Sequence, residues 1–166
     1  AGGDGGTAAR WNGSAWTALA NLSSNVNVLA SLDDGSGRAL WAGVTYLGTT
    51  SSCIQRWNGT SWGAVGGVMT GPFQATTSAF LEHDDGGGPA IYAAGSFTVL
   101  ASPFTTLPRI ARWDGQSWSA VGSGLGTSAD RGPEVSALAA FDAGNGAALY
   151  AGGVLRSAGG VPASGI

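Results

Sequence analysis

One short stretch of the sequence combines ionisable side chains that acid–base catalysis often uses. In Glu82-His83-Asp84-Asp85, the only His of the chain adjoins carboxylates on both sides. Ser residues are plentiful, so a Ser-His-Asp arrangement around His83 is one possible chemistry. A zinc site would need further nitrogen or sulfur ligands, and Cys53, the only Cys, lies elsewhere in the chain. The sequence therefore favours a protein that is not an enzyme, and it predicts no catalytic residue and no cofactor.

Acidic turns are the second feature that could bind a ligand. They recur as Asp33-Asp34-Gly35, Asp84-Asp85-Gly86 and Asp142-Ala143-Gly144. Ca²⁺ takes roughly six to eight oxygen ligands, and no turn has the calcium-loop spacing of alternating Asp with a terminal Glu. Asp and Gly are also common in turns because they tolerate the backbone angles required. These turns are predicted to be structural; Asp33, Asp34, Asp84 and Asp85 are only weak metal candidates.

The most distinctive side chains are aromatic. Six of the seven Trp residues lie in a thirteen-residue phrase that occurs at 8–20, 54–66 and 110–122. The pairs are Trp11 with Trp16, Trp57 with Trp62, and Trp113 with Trp118. Asn-Gly or Asp-Gly between short strands predicts a hairpin, and either a two-residue turn or a four-residue loop places both indoles on one face. We expect these rings to pack between neighbouring sheets.

An Arg precedes the first Trp of every pair: Arg10, Arg56 and Arg112. These side chains point to the face opposite the indoles. They could form a ring of anion contacts, but an Arg in this setting more often stacks on an aromatic ring or binds backbone carbonyls.

A second phrase lies between the Trp phrases, at 26–43, 76–95 and 135–153. Each copy has an apolar strand, an Asp- or Gly-containing turn and a strand that ends in small residues. Nearly every position of the second strand is apolar or small, as in strands covered on both faces. Four strands per unit and spacings of 46 and 56 residues between successive Trp phrases predict radially packed β-blades.

The combined pattern resembles the kelch motif. Its residues in the last unit are Leu149-Tyr150-Ala151-Gly152-Gly153 together with Trp113-Asp114 and Trp118. The chain is also similar to Gly- and Ala-rich repeats of secreted bacterial propeller proteins. This resemblance implies an all-β chain, a β-propeller of four-stranded kelch-like blades, and a secreted, cell-surface or periplasmic location.

We divide the chain into about three units of one propeller segment, at 1–53, 54–109 and 110–166, each cut inside a blade. Propellers typically need about four to eight blades to close. We therefore expect closure within a longer chain or by homo-oligomerisation. In the second case, the 135–153 hairpin of one copy would complete the 8–20 hairpin of its neighbour.

Composition limits the classes of partner. The formal net charge is −3 and all seven basic residues are Arg, which is too few for a nucleic-acid-binding face. No apolar run approaches the roughly 20 residues that a membrane-spanning helix requires. The sequence therefore predicts no nucleic acid and no membrane span.

The segments that differ most between units are 44–53, 96–109 and 122–134, and we expect them on the rims, where loops carry function. Contact candidates are Phe97, Pro103, Phe104 and Pro108 in the second segment and Tyr46 in the first. The sequence predicts a non-catalytic binding or scaffolding module for a protein or glycan. The alternatives are a lectin whose Trp pairs stack on sugars and a hydrolase with a rim or axial site.

Overall fold

The computed structural model describes residues 8–19, 22, 25–46, 48–126 and 134–163. Within these residues the fold consists of sixteen β-strands without a helix, so the predicted all-β class is confirmed. The strands form several antiparallel sheets, and none of the described sheets closes on itself. In the described part of the chain, no helix has the length and apolarity to cross a bilayer.

The first part of the chain forms a short hairpin followed by one large sheet. Strands β1 (Ala9–Trp11) and β2 (Trp16–Ala18) form the N-terminal hairpin. The first sheet is an antiparallel meander of β3 (Asn25–Asp33), β4 (Arg38–Thr45), β5 (Ser51–Trp57) and β6 (Trp62–Thr70). The predicted unit boundary after residue 53 falls inside β5.

The second sheet contains β7 (Thr77–Asp84), β8 (Pro89–Gly95), β11 (Ile110–Trp113) and β12 (Trp118–Ala120). Between β8 and β11, strands β9 (Val99–Ala101) and β10 (Phe104–Thr106) form the inserted hairpin, which joins the β6 edge of the first sheet. The C-terminal hairpin is β13 (Glu134–Asp142) with β14 (Ala147–Val154), and β15 (Ser157–Ala158) pairs with β16 (Val161–Pro162). Both phrases of the repeat are therefore hairpins, as predicted.

The sheets stack in chain order. The first strands of the three second-phrase hairpins are neighbours, because β3 contacts β7 and β7 contacts β13. Trp41 and Ile54 of the first sheet share a core with Ile91 of the second. Tyr92, on the other face of the second sheet, shares a core with Val135 of the C-terminal hairpin. This stacking is compatible with a propeller-like architecture.

Each second strand has a Gly near its end, at a position where a larger residue would clash. The same register shift occurs in β3, β7 and β13, for example between Thr77 and Ala79 opposite Gly95. A Cβ on Gly43 would lie 2.8 Å from the Cβ of Thr77, and one on Gly95 would overlap the carbonyl oxygen of Thr76. The bulged strand passes so close that only Gly fits.

Candidate functional site

In each Trp hairpin, the side chain of the first loop residue accepts hydrogen bonds from the backbone of the loop. Trp11 lies opposite Trp16 across a four-residue loop, so that register, of the two considered, is the one adopted. The Asn12 Oδ1 accepts hydrogen bonds from the backbone N–H groups of Ser14 and Ala15, both at 2.9 Å. Asn58 and Asp114 do the same in the other copies. The paired ring centroids are 5.2–5.5 Å apart.

The Trp pairs differ in burial along the chain. Trp113 and Trp118 are only 7% and 4% exposed, and the Trp118 Nε1–H donates to the Val65 carbonyl of the first sheet at 3.2 Å. Trp57 and Trp62 are half-buried. Trp11 and Trp16 are 50% and 69% exposed. The predicted packing between sheets is thus observed for the last pair, whereas the first pair faces solvent.

The Arg side chains bind the turn of the preceding hairpin. Arg56 Nη2 donates to the Gly37 carbonyl at 3.0 Å, and its Nε lies 3.8 Å from Asp34. Arg112 Nη2 likewise donates to the Gly88 carbonyl at 3.1 Å. These contacts match the carbonyl-binding alternative for Arg56 and Arg112, while Arg10 is exposed.

In the acidic turns, carboxylate oxygens accept hydrogen bonds from the backbone N–H groups of the same turn. Asp33 Oδ1 accepts from Gly35 N–H and Gly37 N–H at 2.9 and 3.0 Å, and Asp84 makes the same pair of bonds in the second sheet. Across the described ranges, no group of three or more His, Cys, Asp or Glu residues is arranged to hold a metal ion.

Asp85 is the centre of the best-connected polar group. The Tyr92 hydroxyl donates to Asp85 Oδ2 at 2.7 Å, and Arg112 Nε lies 3.7 Å from the same oxygen. The hydrogen bond from Tyr92, together with the Gly87 N–H and the Arg112 charge, lowers the pKa of Asp85. Burial and the bond to Asp85 raise the pKa of Tyr92 to about 12.

A pH experiment tests this group. In Tyr92→Phe, Asp85 loses the largest cause of its lowered pKa, so that pKa should rise toward the ordinary value. A carboxyl with a lowered folded pKa stabilises the fold above its unfolded pKa and loses that effect as pH falls through the folded pKa. We expect the acid-unfolding midpoint, followed by circular dichroism, to move to higher pH. Tyr150→Phe is the matched control, because Ala143 stands where Asp85 stands in the second sheet. An unchanged midpoint in Tyr92→Phe would contradict this role.

Among the described residues, the side chains named for the catalytic alternative are not brought together. His83 is buried with its ring 5.8 Å from that of Tyr92, and no hydrogen bond joins it to a Ser within the described residues. Glu82 forms an ion pair with Arg38 of the first sheet at 3.0 Å, and it accepts a hydrogen bond from the Asp33 N–H. These contacts tie Glu82 to the junction between the two sheets.

Residues 59–63 match the letters G-x-S-x-G, which the sequence reasoning overlooked. In hydrolases this motif is a strand-to-helix turn that exposes the Ser. Here residues 59–61 lie in the loop between antiparallel strands β5 and β6, and Trp62 and Gly63 begin β6. The Ser61 hydroxyl accepts a hydrogen bond from Asn58 at 3.0 Å. The surroundings are those of a hairpin loop.

The predicted contact segment 96–109 divides into anchors and a tip. Phe97 is fully buried in the core, and Pro108 is half-buried. Pro103, after a cis peptide bond, and Phe104 lie at the tip, where Phe104 is 78% exposed. Pairing of Leu100 with Met69 fixes the hairpin to the first sheet. No pattern in the sequence indicates which strand the segment joins.

Tyr46, the other predicted contact residue, has a partner inside the protein. Its hydroxyl lies 3.1 Å from the buried Cys53 Sγ. This hydrogen bond and burial raise the pKa of Tyr46 to about 12. Gln55 Nε2 donates to the same sulfur at 3.5 Å. Tyr46 is therefore half-buried and held against β5.

No protein-family model, curated protein or solved structure matches the chain. Two surfaces stand out among the described residues: the exposed tip of the inserted hairpin, and the exposed aromatic side chains at the two ends of the stack.

Proposed function

We propose that the chain is a section of a β-propeller of kelch-like blades and acts as a non-catalytic binding module. Three observations support this proposal. They are the four repeat strands in each of the two large sheets, the contacts of β7 with β3 and β13, and the Trp118 indole held between two sheets. The ring would be closed by further units of a longer chain or by a second copy. The resemblance to secreted bacterial repeats supports a location outside the cytoplasm.

The inserted hairpin is the proposed contact surface, and its exposed Phe104 is the observation that carries the proposal. Phe97, Leu100 and Leu107 are buried in the main core and anchor the hairpin. The Leu107 N–H donates to the Thr98 carbonyl at 2.8 Å, and the Thr98 N–H donates to Thr70 at 2.9 Å. A rigid hairpin with an exposed aromatic tip loses little conformational entropy on binding.

The tip chemistry fits a protein partner with an apolar pocket. Large aromatic side chains supply most of the binding energy when they enter a desolvated pocket. Pro103 precedes Phe104 and limits the backbone freedom of the tip. The surrounding Ser102 and Thr105 are uncharged, so we expect binding to depend only weakly on salt.

Phe104→Ser should reduce partner affinity at least about tenfold while leaving the melting temperature unchanged. The partner would first be isolated on the immobilised wild-type chain, and its dissociation constant would then be measured with purified proteins. Phe73→Ser, which alters an exposed Phe on another loop, is the control and should retain affinity. Equal affinity of wild type and Phe104→Ser would overturn the assignment of this hairpin.

One observation favours a glycan-binding lectin as second candidate. The Trp11 and Trp16 rings are exposed and 5.5 Å apart, and such a pair can stack on a sugar. Binding on a glycan array that disappears in Trp16→Ala, with the fold retained, would support the lectin. Binding that survives this substitution would exclude the pair as the sugar site.

A further inference from the structure

The contact between the first and second sheets defines a repeated docking geometry. Hairpin β11–β12 pairs with β8, placing Arg112 opposite Tyr92 and Trp113 opposite Ile91. Its Trp118 indole lies over Gly66 of the first sheet, where an added Cβ would overlap the ring. A Trp hairpin therefore adds two strands to the second-phrase hairpin before it, and its indole covers the preceding sheet.

The same receiving surface recurs at the C-terminal end of the stack, where none of the described residues covers it. A cavity of about 420 Å³ lies between the second sheet and the C-terminal hairpin. Its apolar lining includes Ile110, Val121, Leu149, Ala151 and Leu155.

Gly122 of this cavity corresponds to Gly66 in the repeat. An added Cβ at Gly122 would meet nothing within 4 Å, in contrast to Gly66 beneath the Trp118 ring. Strand β14 pairs only with β13 among the described strands, so no described strand lies along its other edge. A backbone edge and an apolar hollow thus lie side by side, as they must to receive a Trp hairpin.

The N-terminal hairpin has the complementary features. Strand β1 pairs only with β2 in the described part of the chain, so no described strand lies along its other edge either. Its indoles, Trp11 and Trp16, are exposed, although the equivalent Trp113 and Trp118 are buried. Arg10 is exposed as well, whereas Arg56 binds the turn of its neighbouring hairpin.

We propose that the N-terminal hairpin of a second copy of this chain fills the C-terminal cavity. Strand β1 would pair with β14 in the register of β11 with β8, so that Arg10 lies opposite Tyr150. Trp16 would then cover Gly122, and Arg10 would reach the Gly146 carbonyl, as Arg112 reaches Gly88. This inference rests on the blade arrangement of the proposed function.

A second set of exposed apolar side chains supports a ring closed by two copies, each of which inserts its N-terminal hairpin into the other. Phe141 and Tyr150 lie on the outer face of the C-terminal hairpin and are 61% and 48% exposed. Leu29 on the first sheet is also exposed. Two copies that exchange N-terminal hairpins would bring these surfaces together. The result is a closed ring of six sheets, each built on four strands of the repeat, within the roughly four to eight blades that propellers use.

A complementation experiment on the whole chain tests this junction. Trp16→Ala removes the inserted ring and leaves the cavity intact. Gly122→Asn fills the receiving surface and leaves the N-terminal hairpin intact; its φ of 54° is one that Asn tolerates. Gly48→Asn is the matched control, because Gly48 has φ 72° and free space around it, away from the cavity.

Sedimentation velocity would measure association, and circular dichroism would check folding. We expect wild type and Gly48→Asn to self-associate, and Trp16→Ala and Gly122→Asn each to associate at least tenfold more weakly. Their mixture should form a one-to-one dimer through the one intact junction. A monomeric wild type, unaffected association in either variant, or a folded mixture that stays monomeric would overturn the proposal.

The two proposals can fail separately. If wild type and Phe104→Ser bound the partner with equal affinity while self-association was normal, only the contact-surface proposal would be overturned. Intact partner binding by a monomeric wild type would sink only the junction proposed here.

Discussion

Replacing Trp118 with Ala should lower the free energy of unfolding by about 3–5 kcal/mol, the range for a fully buried Trp. The indole lies between two sheets, 4% exposed, and donates a hydrogen bond to Val65. Its removal would leave a cavity at that junction and would remove the hydrogen bond to the Val65 carbonyl. Trp16→Ala, at the same place in the repeat, should cost less than about 1 kcal/mol in the monomer, because that ring is already exposed.

Urea unfolding followed by circular dichroism would measure both variants, at concentrations where sedimentation shows a single monomeric species. The two variants are matched, because Trp118 and Trp16 are each the second Trp of a hairpin and each packs against a tilted Trp ring. Equal losses would mean that the indoles stabilise their own hairpins and contribute little between sheets. That result would remove the main support for the blade arrangement.

Local rules predicted the hairpins correctly because the relevant residues are neighbours in sequence. Asn12 caps its own loop through hydrogen bonds two and three residues away. Asp33 does so in the other type of turn. The alternation that places Trp11 and Trp16 on one face likewise needs only the strand geometry. Such features carry over to every copy of the phrase.

What sequence patterns missed depends on contacts between distant segments. The three Trp pairs have nearly identical sequences, yet only Trp113 and Trp118 are buried, because burial is decided by the neighbouring sheet. Segment 96–109 was predicted as a loop; it forms a hairpin that crosses to the first sheet through Leu100 and Met69. Phe97 therefore belongs to the core, and only the tip of the segment is available for contact.

Gly95→Ala should destabilise the protein by about 3 kcal/mol, at the upper end of the usual cost of overpacking. The added methyl group would overlap the carbonyl oxygen of Thr76 and lie 3.0 Å from the Cα of Thr77. Both neighbours are backbone atoms of the bulged strand, so no side-chain rotation can relieve the clash. The bulge would have to move away from β8, which would disturb the packing of β7 against β3 and β13.

Gly63→Ala provides the control, because Gly63 is an exposed strand residue whose added Cβ would meet only the Arg56 carbonyl, at 4.0 Å. Without a clash, the methyl group reduces the freedom of the unfolded chain, and stability should stay equal or rise slightly. Thermal and urea unfolding would compare the two variants. If both behaved alike, the glycine near the end of each second strand would have no steric role in the stacking. A selective loss in Gly95→Ala would establish that the close approach of bulge and strand is what each unit needs to stack on the next.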